Sequence, residues 1–212
     1  MTISEPMTMF TDYLVTLLAA SLGIHLIIEG RARSCRAEAL WGWAFMATAL
    51  GALAGGTSHG FVQQLGDEGW QVLWKVTVYA IGAASFLLLA GALVASFSGP
   101  WRRLLLLVAF FKLLGYLWWM ASHDDFRFVI NDYGSTMVLV LLLQIWQWWA
   151  RRDPSAPWVV GGILVSFGAS LIQQSGFSLH QHFNHNDIFH VIQLLALWLL
   201  YRGGRLLEDT GD

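Results

Sequence analysis

Charge is what this chain has least of. Only 12% of its 212 residues are Asp, Glu, Lys or Arg, about half the share of a soluble globular domain. Proline is held to four residues and cysteine to Cys35 alone. A single cysteine excludes an internal disulfide framework. With so little charge and proline, intrinsic disorder, a collagenous repeat and a coiled coil are excluded as well. The net charge of −2 leaves no basic surface for nucleic acid. The first ten residues contain no Lys or Arg. The apolar run beyond them outlasts a signal-peptide core, so the first span is expected to be its own insertion signal.

What the chain does have is apolar surface. Hydrophobic residues make up 56%, with twelve Trp and thirteen Phe, and the mean hydropathy is +0.54. An ordinary soluble fold does not fit these values. A helical membrane span takes about 20 apolar residues, so the length holds up to about seven spans and no soluble domain. Reading apolar runs between polar or Pro/Gly punctuation predicts spans at 10–29, 39–63, 70–97, 101–122, 128–149, 158–175 and 184–201. The expected fold is all-α, one seven-helix transmembrane domain over 1–212. No internal repeat points to a transporter of duplicated halves.

Nine arginines fall between alternate spans: Arg31, Arg33 and Arg36, then Arg102 and Arg103, then Arg151 and Arg152, then Arg202 and Arg205. The opposite loops hold Arg127 alone beside Asp67, Glu68, Asp124 and Asp125. The positive-inside rule then predicts a cytoplasmic C-terminus and an outside N-terminus. Pro100, Pro154 and Pro157 all fall in turns of the arginine side, where they break no span. Trp residues near both expected boundaries read as interfacial belts.

Ionisable groups inside a membrane are costly and mark function by default. Here they are His25, His59, Lys75, Lys112, Asp132, Asp187 and His190. His25 reads as structural, and Lys112 as a residue that snorkels or pairs. The others converge at one depth beneath the outer surface. Two segments carry the chemistry. Gly55–Phe61, reading GGTSHGF, offers Thr57, Ser58 and His59 at the end of span 2. Phe183–Gln193, reading FNHNDIFHVIQ, opens span 7. A capped helix start, with Asn184 or Asn186 as N-cap and Asp187 favouring the dipole, accounts for the Asn and Asp of that segment. It leaves His190 unexplained.

Imidazoles from spans 2 and 7 suit Zn²⁺, with His59, His185 and His190 as the expected metal ligands. Asp187 and His182 are alternatives for the third position. Three protein ligands leave one place for a water of lowered pKa. Asp187 or Asp132 is the candidate general base, and Ser58 or Thr57 the candidate donor to an oxyanion. Other readings are a receptor that binds a ligand or metal without turnover, and a haem protein ligated by His59 and His190. Span 7 has no Lys, which excludes a retinal Schiff base.

This pattern resembles the CREST superfamily of seven-span membrane hydrolases, which includes alkaline ceramidases, the progestin and adipoQ receptors, and post-GPI-attachment lipid remodelling proteins. In that resemblance His59 matches the span 2 zinc ligand and His190 the second His of the span 7 pair. Asn186 stands where the first His of that pair would fall, with His185 beside it, and Gly55 stands at the family's span 2 Ser. No early-span Asp is matched. The resemblance implies a zinc-dependent hydrolase of lipid amides or esters, with membrane lipids as partners.

Overall fold

The computed structural model describes residues 3–211. Six helices follow one another: α1 (Pro6–Ala32), α2 (Arg36–Ser96), α3 (Gly99–Ser122), α4 (Phe126–Arg151), α5 (Ala156–Ser175) and α6 (His185–Gly204). Among the described residues there is no strand, only an isolated antiparallel bridge between His180 and Phe183. The first five helices are long and apolar enough to cross a membrane. The first two turns of α6 are too polar for it to join them.

The expected spans 2 and 3 are not separate elements. They are the two arms of the 61-residue α2. A straight helix of that length would extend about 90 Å, three times the hydrocarbon thickness. Instead it breaks at Phe61 (φ −122°, ψ 26°) and at Gly66 (φ 63°, ψ −179°), and the second conformation is essentially open only to glycine. The arms then fold back on each other. Trp41 Nε1 on the first donates to the Leu88 carbonyl on the second at 3.1 Å. The two breaks fall near the junction of the predicted spans 39–63 and 70–97, and helical hydrogen bonding nearly bridges it.

Helix α2 forms the centre of the bundle. Its most apolar stretch is 72% buried, against 17% in α3. Helix α1 packs closely along the first arm because small residues face each other. A Cβ on Gly42 would stand 2.8 Å from the Gly23 carbonyl oxygen, so the backbones touch there. A continuous core of Leu26, Trp41, Phe45, Leu93, Ile163 and Leu200 joins α1, α2, α5 and α6. Large apolar side chains elsewhere, including Leu17, Phe111, Trp118 and Leu171, face outward, as a lipid solvent requires.

Helix ends follow local chemistry. Pro6, Pro100 and Pro157 sit in first turns, where their missing N–H costs nothing. Asp125 caps α4 through the Arg127 N–H at 2.9 Å. Asn184 and Asp187 form a reciprocal capping box on α6.

The 205–211 segment, a plain polar tail by composition, straps the arginine end. Asp209 accepts the Arg36 and Ala37 N–H groups at the start of α2, at 3.1 and 2.8 Å. Thr210 donates to the Ala95 carbonyl and accepts from Arg151. Leu207 is fully buried. Burial pushes the Asp209 carboxyl up, but the Ala37 and Arg36 N–H groups and the Arg36 side chain outweigh it and hold the group below its ordinary value. Burial, first among the causes, pushes the neighbouring Cys35 thiol up.

Candidate functional site

At the opposite end, α1, the first arm of α2 and α6 gather a buried polar cluster. Thr8, Thr11 and Asp12 lie at i, i+3 and i+4 on α1, and so share a face. Asp187 and His190 lie at i and i+3 on α6. The two faces meet. Thr8 Oγ1 donates to Asp187 Oδ1 at 2.9 Å. His190 Nδ1 lies 3.0 Å from Thr11 Oγ1, and His190 Nε2 lies 3.2 Å from Asp12 Oδ1. Thr8, Thr11, Asp12 and Asp187 are all buried. Gly56 makes the room for Asp12: a Cβ on Gly56 would stand 2.7 Å from Asp12 Cβ.

The hydrogen bonds favour one tautomer of His190. The single proton of the Thr11 hydroxyl goes to the Thr8 carbonyl at 3.0 Å, so Thr11 Oγ1 can only accept from the ring. His190 Nδ1 therefore carries a proton, and Nε2 is the atom that faces the Asp12 carboxylate. A proton held by one of the two atoms makes this 3.2 Å contact a hydrogen bond between the Asp12 carboxyl and the ring.

The backbone N–H of Asn184 donates to Asp187 Oδ2 at 2.7 Å, so both carboxylate oxygens of Asp187 are engaged. His59 Nδ1 pairs with Glu5 Oε2 at 3.2 Å. His59 is also close enough to His190 to act on it electrostatically, as Asp187 and Glu5 are to Asp12. Beside the cluster lies an open cleft of about 330 Å³ between the start of α1 and the α5–α6 loop. Glu5, Met7, Thr8, Phe10, His182 and Asn184 contribute to its lining, so Thr8 belongs to both cleft and cluster.

The residues expected from sequence divide into three groups. Asp187 and His190 are brought together, with His59 next to them. His185 stands at the first turn of α6 but makes no side-chain hydrogen bond among the described residues. Ser58 is buried, and its hydroxyl donates to the Ala54 carbonyl of its own helix at 2.9 Å, so that proton is not offered to a ligand. Thr57 likewise donates to the Leu53 carbonyl. Asp132 goes elsewhere: it pairs with Lys112 Nζ at 2.5 Å, in a network where Ser85 also bonds Thr136 at 2.9 Å. The expected trio His59, His185 and His190 is not gathered. Among the described residues no group of three or more His, Cys, Asp or Glu is placed to hold a metal ion. His25 has the structural role expected of it, bonding Tyr201 and Glu29.

Asp12 is the member that sequence reading passed over. It falls inside the first predicted span, two residues past its start, where a carboxylate reads as a boundary residue. The i, i+3, i+4 set Thr8, Thr11 and Asp12, on a helix otherwise apolar, is the signal that finds it.

The chain matches a family described as a family of unknown function over residues 7–209. No curated protein matches it, and no solved structure does.

Proposed function

As the chain belongs to that family, DUF6962, its activity has to be read from its own site, and we propose that it is a zinc-dependent membrane hydrolase of a lipid amide or ester. The observation that carries the reading is the Asp12–His190 contact, where two helices bring a carboxyl and an imidazole to 3.2 Å in a largely buried polar cluster. A zinc ion fits this spacing. Ligands at about 2.0–2.1 Å in a tetrahedron lie about 3.3 Å apart, close to the 3.2 Å between Nε2 and Oδ1. Asp12 and His190 would hold the ion, with His59 the nearest further imidazole. Among the described residues no third His, Cys, Asp or Glu is placed to join these two as a ligand, so the remaining positions would fall to water or substrate.

A bound zinc supplies Lewis acidity and lowers the pKa of a water towards 7. The chain's own residues do the rest. Thr11 orients the His190 ring through Nδ1. Thr8 and the Asn184 N–H hold Asp187, which makes it a positioning residue rather than a free base. Glu5 orients His59. The cleft beside Thr8 offers Met7 and Phe10 to an acyl chain, and Gln181, His182 and Asn184 to a polar headgroup.

The two arms of α2 serve as separate spans, giving seven with α6. The nine arginines face the cytoplasm, and the cluster faces the outside. A second reading, a receptor that binds a ligand without turnover, draws on the same cleft.

Metal content by plasma mass spectrometry tests the proposal. Wild type, Asp12→Asn and His190→Ala would be purified in mild detergent without a His-tag. About one zinc per chain in wild type, lost in both variants, with fatty acid released from a lipid amide or ester, is the expected result. Zinc without turnover favours the receptor. A folded, colourless wild type without stoichiometric metal overturns the hydrolase and the haem reading together.

A further inference from the structure

Arg202 is held differently from the paired arginines at its end. Arg33 pairs with Glu38, Arg36 with Asp209 and Arg205 with Glu29, while Arg151 bonds the Ser96 carbonyl and Thr210. Arg202 has no hydrogen-bond acceptor or carboxylate partner among the described residues. Two indoles hold it instead. Its guanidinium carbon lies 4.6 Å from the Trp158 ring centre and 5.5 Å from that of Trp198. The two rings meet edge to face at 5.9 Å. Stacking of this kind sets the plane of the guanidinium while leaving its five N–H donors unused.

Arg202, Arg205 and Leu206 line a cleft of about 230 Å³. Arg205 adds a second guanidinium, part of which Glu29 neutralises at 2.8 and 3.3 Å. Leu206 adds an apolar wall. The cleft lies at the end of α6, beside the outward-facing Trp198, where an indole marks a membrane boundary. A preorganised planar fork, a second cation and an apolar wall match a phosphate oxyanion joined to an apolar body. We propose that this cleft binds a phosphate group, supplied by an anionic lipid of the leaflet at the arginine end. The site lies at the other end of the bundle from the Asp12–His190 cluster and does not depend on the hydrolase reading.

The test uses the full chain in detergent and counts retained lipid by native mass spectrometry. The probes are phosphatidylglycerol, phosphatidylcholine and inorganic phosphate. Wild type is expected to retain phosphatidylglycerol over phosphatidylcholine. Arg202→Gln should lower that retention about tenfold, and Arg152→Gln, an exposed arginine at the same end, should leave it unchanged. Displacement by millimolar inorganic phosphate identifies free phosphate as a competent source, and resistance to it identifies the lipid. Trp158→Leu combined with Trp198→Leu keeps the charge but removes the aromatic clamp, and an intermediate loss is expected. The proposal is overturned if Arg202→Gln, or the double Trp variant should Arg202→Gln not fold, retains lipid like wild type. It is also overturned if Arg152→Gln loses as much as Arg202→Gln.

Discussion

The two ends of the bundle treat buried polar groups in opposite ways. At the arginine end Arg33, Arg36 and Arg205 meet carboxylates of the chain itself. Asp209 closes the start of α2, Glu38 and Glu29 take Arg33 and Arg205, and Thr210 ties together α2, α3 and α4. At the histidine end the contacts run from the Thr8 carbonyl through Thr11 to His190 and end at the Asp12 carboxyl, with no Lys or Arg among them. A closed network stabilises. A cluster of buried titratable groups held by neutral hydroxyls is open to exchange of a proton or a ligand. The difference lies in the count of donors and acceptors, since both ends are charged.

The largest expected effect comes from breaking the histidine end. Asp12→Ala leaves His190 facing an empty space and should cost about 3–5 kcal/mol, as removing one partner of a buried pair does. Asp12→Asn should stay close to wild type in stability, because its amide can donate to Nε2, yet it should bind no metal. Chemical denaturation of both variants, alongside their zinc content, separates folding from binding. Equal destabilisation by Ala and Asn would mean that the carboxylate charge itself holds the fold. A related outcome concerns added zinc, which should raise the melting temperature of wild type and not of Asp12→Asn.

Next in size is the Lys112–Asp132 pair, which belongs to neither end. It links α3 and α4. Lys112→Met alone should destabilise by about 2 kcal/mol, allowing for partial exposure of the amine. Lys112→Met combined with Asp132→Leu should recover most of that, with zinc content unchanged throughout. Loss of zinc in the double variant would bring Asp132 back as part of the site. Smaller again is the loss of the trans cap. Asp209→Ala should cost about 1 kcal/mol and leave the histidine end intact.

The smallest effect is the pH dependence of that cap. The Asp209 carboxyl is held below its ordinary value in the folded chain. Its contribution is therefore complete above the ordinary carboxylate value and disappears as pH falls through the lowered one. Wild type and Asp209→Asn should converge in stability only in acid. If they stay equally separated across that range, the cap is not electrostatic.

Helix content, the position of the α2 reversal and the segregation of arginine from histidine could all be read from the sequence. Each depends on local composition or on the length of an apolar run. His190 and Asp187 stood out for the same reason, as polar groups among apolar neighbours. What they bond to could not be read. Asp12 is 178 residues from His190, and no periodicity relates α1 to α6. Asp132 and Asp187 look alike in sequence, each near the start of a helix, but one meets Lys112 and the other Thr8. Ser58 looked available until its hydroxyl was found on the Ala54 carbonyl.

By itself, then, the sequence determined an all-helical chain with spans long enough for a membrane, and the end at which Asp187 and His190 fall. Hydropathy and the cost of burying charge act on each segment separately, so no fold is needed to read them. Only the tertiary structure decided that α1 supplies the partner of His190, that the 205–211 segment is a strap, and that Asp132 stands apart. Those outcomes depend on which helix faces meet. The meeting is set by close contacts between small residues, such as Gly23 with Gly42 and Gly56 with Asp12, whose energy exists only once the helices are packed.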